Sequence, residues 1–228
     1  MGTQERLGKL HHTLQVDMDG VQLHEDEAGV ELLLGCQVQA NLKWKCQVAV
    51  LEKKLRSRLA GLLNLRHILP FNTRKTVTEG VFNSVLVYCL PLYGGCDAGQ
   101  VKAVQVLQNK ASQIVCKAPP RASRAPMYDK LGWMTVNQLI CYHTLISVYK
   151  IRKCGEPEYL SRLLNNDNIY GRIIIPNCGL TLATKSFSYR GARTWNQLPD
   201  NLRRTDKIRI YKTGLKRWIF ENIPRFLN

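Results

Sequence analysis

The period of the apolar residues changes at Trp44, and this change constrains the fold more than any other feature of the sequence. Upstream of it, Leu14-Gln15-Val16-Asp17 alternates apolar and polar residues, the spacing of a strand. Asp19-Gly20 supplies a two-residue hairpin turn, after which Val21 and Leu23 resume the alternation. Val30 to Leu34 then reads as a short, largely apolar strand. Downstream, Val48, Leu51, Leu55, Leu59 and Leu62 recur at steps of three and four, which puts them on one stripe of a helix. Asn41 or the residues just after it cap that helix, and Pro70 stops it.

The helical period continues to the end of the chain. A second helix is expected from about Thr73 to Cys89, with Val77, Val81, Phe82, Val85 and Leu86 as its apolar residues and Pro91 as its stop. A third begins near Asp97, where Asp97-x-x-Gln100 has the form of a capping box: each side chain satisfies a backbone N–H that the helix leaves orphaned. Ala118-Pro119-Pro120-Arg121 breaks the pattern and marks a boundary. Met127 to Trp133 suggests a short helix, Thr135-x-x-Gln138 caps a longer one through Tyr149, and Glu158 to Leu164 forms another. Residues 165–185 are irregular, with Ile173-Ile174-Ile175 as the one plausible strand. Ser188 is placed to cap a helix through Trp195, and Ile208, Tyr211, Leu215 and Trp218 define the last helix.

Charge narrows the function. Lys and Arg number 33 against 17 Asp and Glu, a formal net charge of +16. The first 40 residues hold two bases and seven acids, so the remainder carries 31 bases against 10 acids. Such a surplus draws polyanions over about 8 Å in physiological salt, and nucleic acid is the leading partner class. A basic protein with no specific anion partner is the bland alternative. Eight cysteines lie mostly in apolar runs and form no C-x-x-C pair, so no zinc ribbon is indicated. With no N-x-[ST] acceptor, no signal-like stretch and no apolar run near ~20 residues, the expected setting is intracellular, nucleus or cytoplasm, without a membrane.

No motif carries catalysis. Asp17 and Asp19 share a strand face, but the turn explains Asp19 and the full calcium loop is missing. Glu25-Asp26-Glu27 reads as a solvated acidic loop, and His24-Glu25 does not extend to a zinc-protease motif. Gly94-Gly95 and Gly99 fit neither phosphate-loop pattern. Cys141 and His143, two apart, share no helical face and do not pair as nucleophile and base. Clustered cations form the stronger case. Lys54 and Arg58 are four apart on one helix face, Lys53 and Arg56 lie beside them, Arg66 comes after, and Arg74 and Lys75 begin the next helix. Arg190 and Arg193 form a second cluster, with Tyr189 able to stack on a base. These nine are the candidate nucleic-acid-binding residues; a merely solvated face is the alternative.

Several segments, in order, resemble a family. Val30-Glu31-Leu32-Leu33-Leu34-Gly35 followed by Asn41-Leu42-Lys43-Trp44 resembles the passage from palm to thumb in non-LTR retrotransposon reverse transcriptases. Leu65 to Pro70 is similar to the end of the first thumb helix, and Val87-Tyr88-Cys89-Leu90-Pro91-Leu92-Tyr93-Gly94 to the segment after the second. Leu107-Gln108-Asn109-Lys110-Ala111, Leu131-Gly132-Trp133 and above all Ser186 to Pro199 resemble later landmarks. The likeness spans about residues 14–220. It implies the thumb and downstream part of an RNA-directed DNA polymerase from a mobile element.

The implied fold is mainly α: antiparallel thumb-like helices preceded by a small β-hairpin and strand unit and followed by a second helical region. The divisions fall at 1–43, 44–118 and 119–228. The implied role is to grip an RNA or DNA duplex through its backbone, with the remaining polymerase domains as further partners. Polymerisation needs a [FY]-x-D-D pair holding magnesium, and this chain has no Asp-Asp dipeptide. It is therefore expected to be non-catalytic alone, a truncated copy with no cofactor of its own; Mg²⁺ would belong to the missing palm. Two other readings stay open: a domesticated helical module that binds proteins, and a decayed fragment without function.

Overall fold

The structure, a computed structural model, describes residues 16–18, 21–23, 29–165, 167, 172–175 and 177–224. It is mainly helical, with antiparallel β pairs at the N-terminal side. Strands β1 (Val16–Met18) and β2 (Val21–Leu23) pair with Asp17 opposite Gln22. The Asp19-Gly20 turn between them, and the acidic loop Glu25-Asp26-Glu27, lie outside the described residues.

A second hairpin comes next, of which only the first strand was expected. β3 (Val30–Leu33) pairs with β4 (Cys36–Gln39), and Leu33 faces Cys36 across a two-residue turn. Both turn residues have left-handed backbones, Leu34 at φ 48° and Gly35 at φ 77°, as such a tight hairpin requires. Leucine rarely adopts that conformation, so the apolar run hides the turn.

Helix α1 (Lys45–Leu65) begins at Trp44, whose own backbone is left-handed and whose side chain caps nothing. Asn41 does not cap it either; its Oδ1 accepts from the Lys43 N–H at 3.0 Å within the preceding turn. Gln39 of β4 takes the role, its Oε1 accepting the orphan Cys46 N–H at 3.0 Å, while Gln47 Oε1 accepts from Gln37 N–H at 2.8 Å. These two bonds fasten the hairpin to the helix.

The stripe Val48, Leu51, Leu55, Leu59 and Leu62 is buried throughout. It packs against α5 (Ala98–Cys116) and against a helix in three parts: α2 (Phe71–Thr78), a π-helical turn (Glu79–Asn83) and α3 (Ser84–Val87). A short α4 (Leu90–Tyr93) and α6 (Arg124–Leu131) complete this first core. Gln100 Oε1 accepts the Asp97 N–H at 3.0 Å, so the expected box at the start of α5 forms.

A buried polar network joins α5 to α6 and to the segment Met134–Val136. Gln105 Nε2 donates to the Tyr128 hydroxyl at 2.7 Å and to Asn109 Oδ1 at 2.9 Å; Gln108 Nε2 donates to the Met134 carbonyl at 2.9 Å. Gln105 Oε1 accepts from Val136 N–H at 2.8 Å.

Helix α7 (Val136–Cys154) is the spine of the molecule. Thr135 and Gln138 cap it reciprocally, at 3.4 and 3.1 Å. Its first two turns (Val136, Leu139, Ile140) join the first core; Leu145, Val148 and Tyr149 belong to a second. The breaker at residues 118–121 is a turn as expected, but the two cores part further on, inside α7. The second core gathers α8 (Glu158–Leu164), α10 (Phe187–Trp195), α11 (Asp200–Arg203) and α12 (Ile208–Asn222), with α9 (Thr181–Thr184) at its edge. Tyr149 and Tyr211 stack there at 4.2 Å. A Cβ on Gly191 would sit 2.8 Å from Val148 Cγ2, so only glycine lets α10 cross α7 this closely. Ser186, not Ser188, caps α10, its Oγ accepting from Tyr189 N–H at 3.3 Å. Ile173 to Ile175 make no strand; Ile173 forms one isolated bridge to Asp167 and is otherwise held by the Asn196 side chain through two 2.9 Å bonds.

Arg74 ties the first core together. Its Nε donates to the Val115 carbonyl at 2.8 Å, and its Nη1 to the carbonyls of Arg66, at 3.1 Å, and Leu69. These are orphan acceptors where α1 and α5 end, and the cation also complements both helix dipoles. Arg74→Met keeps the apolar stem and leaves those carbonyls unsatisfied, so it should lower stability by about 3 kcal/mol in urea unfolding.

Candidate nucleic-acid interface

Four of the nine expected binding residues stand exposed on α1: Lys53, Lys54, Arg56 and Arg58. Their placement comes from the leucine stripe, since a helix that buries one side must present its other residues to water. Between Lys45 and Leu65 there are five cations and a single acid, Glu52. Arg56 pairs with that acid at 3.1 Å, an exposed i,i+4 contact worth a few tenths of a kcal/mol. Lys54 and Arg58 instead line a groove of about 340 Å³. Its opposite wall is Ser84, Val85 and Tyr88 of the second helix and Gly35 of the hairpin turn. The Tyr88 hydroxyl donates to the Leu34 carbonyl, which holds the half-exposed ring in place at the groove mouth.

The remaining expected residues divide differently. Arg74 is corrected outright: it is 4% exposed and its guanidinium is consumed by backbone carbonyls, so it has no face for phosphate. Arg66 is half-buried and donates to the Ala118 carbonyl at 3.3 Å. Lys75 is half-buried, with Nζ 3.9 Å from Glu79 Oε1. That same Glu79 oxygen accepts from Trp133 Nε1 at 2.9 Å.

Tyr189, Arg190 and Arg193 line one groove of about 340 Å³ together with Thr144 and Gln197. Arg193 is exposed. Arg190 turns inward, its Nε donating to the Lys185 carbonyl at 3.0 Å and its Nη2 to the Pro91 carbonyl at 2.7 Å. These two bonds join α10 with α4, while the half-buried side chain still lines the groove it shares with Arg193. Gly94 and Gly95 make room for Arg190. A Cβ on Gly95 would lie 2.3 Å from the Lys185 carbonyl oxygen and 3.2 Å from Arg190 Nε. The glycine pair, which fits no phosphate loop, serves this crossing. Beside it Lys185 pairs with Asp97, and that contact holds the Asp97 carboxyl below the usual carboxylate range.

Cations on α12 were not among the expected residues. Lys212, Lys216 and Arg217 are exposed and line a depression of about 540 Å³ with Tyr142 and Phe220. The signal was present: Lys212 and Lys216 have the same i,i+4 spacing as Lys54 and Arg58. What the sequence did not show is that Tyr142 of α7 lies beside them.

Burial pushes the Cys141 thiol up to about 12 and pulls His143 below the ordinary histidine value. Cys36 and Cys96 rise to about 11, also mainly through burial. Among the described residues no three His, Cys, Asp or Glu side chains are grouped to hold a metal ion, and no helix is long and apolar enough to cross a membrane. All eight cysteines are free, and Cys154 alone is exposed. A thiol reagent at pH 8 should therefore modify Cys154 first, and Cys154→Ser should remove that fastest phase. Cys141 should react only on unfolding, as mass spectrometry of the labelled peptides would show.

Compared with protein-family models, with curated proteins and with solved structures, the chain matches none.

Proposed function

We propose that this chain is the thumb and downstream part of a non-LTR retrotransposon reverse transcriptase, and that it holds a template–primer duplex by its phosphate backbone without catalysing anything alone. The observation that carries the reading is the groove along α1, where Lys54 and Arg58 face Ser84 and Tyr88. Two unburied cations and a half-exposed phenol ring on one open surface suit a sugar–phosphate backbone, which offers charge but no fixed sequence. Lys53 adds exposed positive charge beside this face. The order of the family-like segments supports the same reading, and the absence of an Asp-Asp pair from the sequence fits a binding role. The proposed setting is the nucleus or cytoplasm, where such a duplex occurs.

One observation favours a second reading, a module that binds protein. Leu32, Leu33 and Leu34 are 71%, 63% and 85% exposed at the tip of the β3–β4 hairpin. An apolar tip of this kind marks contact with another chain. A polymerase palm would account for it under the first reading, and an unrelated protein under the second.

The test is an electrophoretic retardation assay with an RNA–DNA hybrid at ~50 mM salt, where backbone contacts are strongest. The wild-type chain should bind without sequence preference. The double charge reversal Lys54→Glu with Arg58→Glu should weaken binding at least about tenfold and reduce the salt slope by about two, one per lost phosphate contact. Circular dichroism should be unchanged, because both side chains are exposed. Absence of binding by the wild-type chain would sink the reading. Protein partners that persist after nuclease treatment would favour the second one.

A further inference from the structure

The depression along α12 continues into the first core. Tyr142 and Lys216 line both the 540 Å³ depression and a cavity of about 230 Å³, so the two adjoin and together are called the furrow. The furrow runs from the C-terminal helix, past α7, to the π-helical turn. Its volume falls within the range of about 300–1,000 Å³ that small ligands and single nucleotides occupy.

Three features distinguish it from the α1 groove. The first is a stripe on α12: Lys212, Lys216 and Phe220 succeed one another at four-residue steps beside the buried Tyr211, Leu215 and Ile219. Lys216 Nζ lies 5.9 Å from the Phe220 ring centre, so cation and ring already share a surface. From Lys207 to Asn222 there are five cations and one acid, Glu221, which also lines the depression. The second is the aromatic floor. Tyr142 and His143 meet edge to face at 5.4 Å and both are half-buried, so each offers a ring surface to the furrow. Burial lowers the pKa of His143, which favours the uncharged ring. The third is Asn83, at the inner end. Its Oδ1 is buried with no hydrogen-bond partner. A π-helical turn, which recurs at functional sites, places it there, and the Trp133–Glu79 bond braces that turn.

A double helix keeps its bases inside and offers the furrow nothing for its rings. An unpaired strand offers both phosphates and base faces. We propose that the furrow between α12 and α7 holds unpaired nucleotides of a single-stranded segment. Lys212 and Lys216 take the phosphates, and Tyr142 and His143 stack the bases. The assignment rests on the nucleic-acid reading of the chain, and it adds a site separate from the duplex groove.

The experiment uses the full chain with two fluorescent probes, an oligoadenylate of about 12 nucleotides and a blunt RNA–DNA hybrid of the same length. Lys212→Glu with Lys216→Glu should weaken the single strand at least about tenfold and leave the hybrid within twofold. Lys54→Glu with Arg58→Glu should do the reverse. Tyr142→Leu should weaken the single strand about tenfold and Tyr142→Phe should not, since the phenyl ring alone supplies the stacking surface. Polyglutamate of matched charge should compete poorly. Equal losses on both probes, no loss on the single strand, or equal competition by polyglutamate would each overturn the proposal, the last in favour of an acidic protein partner. A wild-type chain that binds the hybrid but not the single strand overturns this inference alone. One that binds neither overturns the nucleic-acid reading as well.

Discussion

Val48, Leu51, Leu55, Leu59 and Leu62 are buried on one side of α1, and this burial determines where every charge on that helix stands. Each such side chain contributes about 1.5–3 kcal/mol when removed from water. No arrangement that exposed them to hide a lysine would compete, because burying an unpaired charge costs several kcal/mol. The cations of α1 are thus displayed as a consequence of packing. The groove arises where this displayed face meets the second helix and the hairpin tip. Its geometry depends on Gln39 and Gln47, which bind the hairpin to α1, and on Arg74, which joins the ends of α1 and α5.

The arginines separate into two kinds, and local sequence does not tell them apart. Arg58 and Arg74 both sit beside other cations on helices, yet one reaches water and the other reaches three carbonyls. The deciding factor is whether unsatisfied backbone acceptors lie within reach. Arg74 lies beside the ends of α1 and α5, where orphan carbonyls collect. Arg190 lies beside the α4 turn, with Pro91 and Lys185 carbonyls facing it. Both environments are made by residues far away in the chain, Val115 in one case and Pro91 in the other. The helix itself, by contrast, was legible, because its period is local.

The same distinction explains the rest of the fold. The change of period at Trp44, the paired caps at Asp97/Gln100 and Thr135/Gln138, and Glu158–Leu164 as a helix were all readable, since each depends on residues within a turn of one another. β4 was not, because its turn uses a left-handed leucine that the hydrophobic pattern assigns to a strand. The Ile173-Ile174-Ile175 run has strong β propensity but no neighbouring strand among the described residues; the Asn196 side chain satisfies the Ile173 backbone instead. Ser186 and Ser188 are equally good caps by composition, and the choice falls to Ser186 where the chain turns into α10.

The segments that carry the family likeness are mostly packing residues. Gln108 and Asn109 sit in the polar network around Tyr128; Leu131 and Trp133 close the first core; Gly191, Ala192, Trp195 and Leu198 build the second. Even Arg190, the charged member of the Ser186–Pro199 segment that faces inward, holds two elements together. The exposed cations of α1 and α12 lie outside those segments. Likeness of this kind therefore tracks a scaffold, and any nucleic-acid role must be judged on surfaces that the likeness does not cover. Those surfaces are physically distinct: one open groove between two helices and a hairpin, and one furrow with rings on its floor. The first core positions the former, and the α7 spine and second core position the latter. Gln138, whose Nε2 donates to the Ile223 carbonyl at 2.9 Å, fixes the end of α12 against the start of α7.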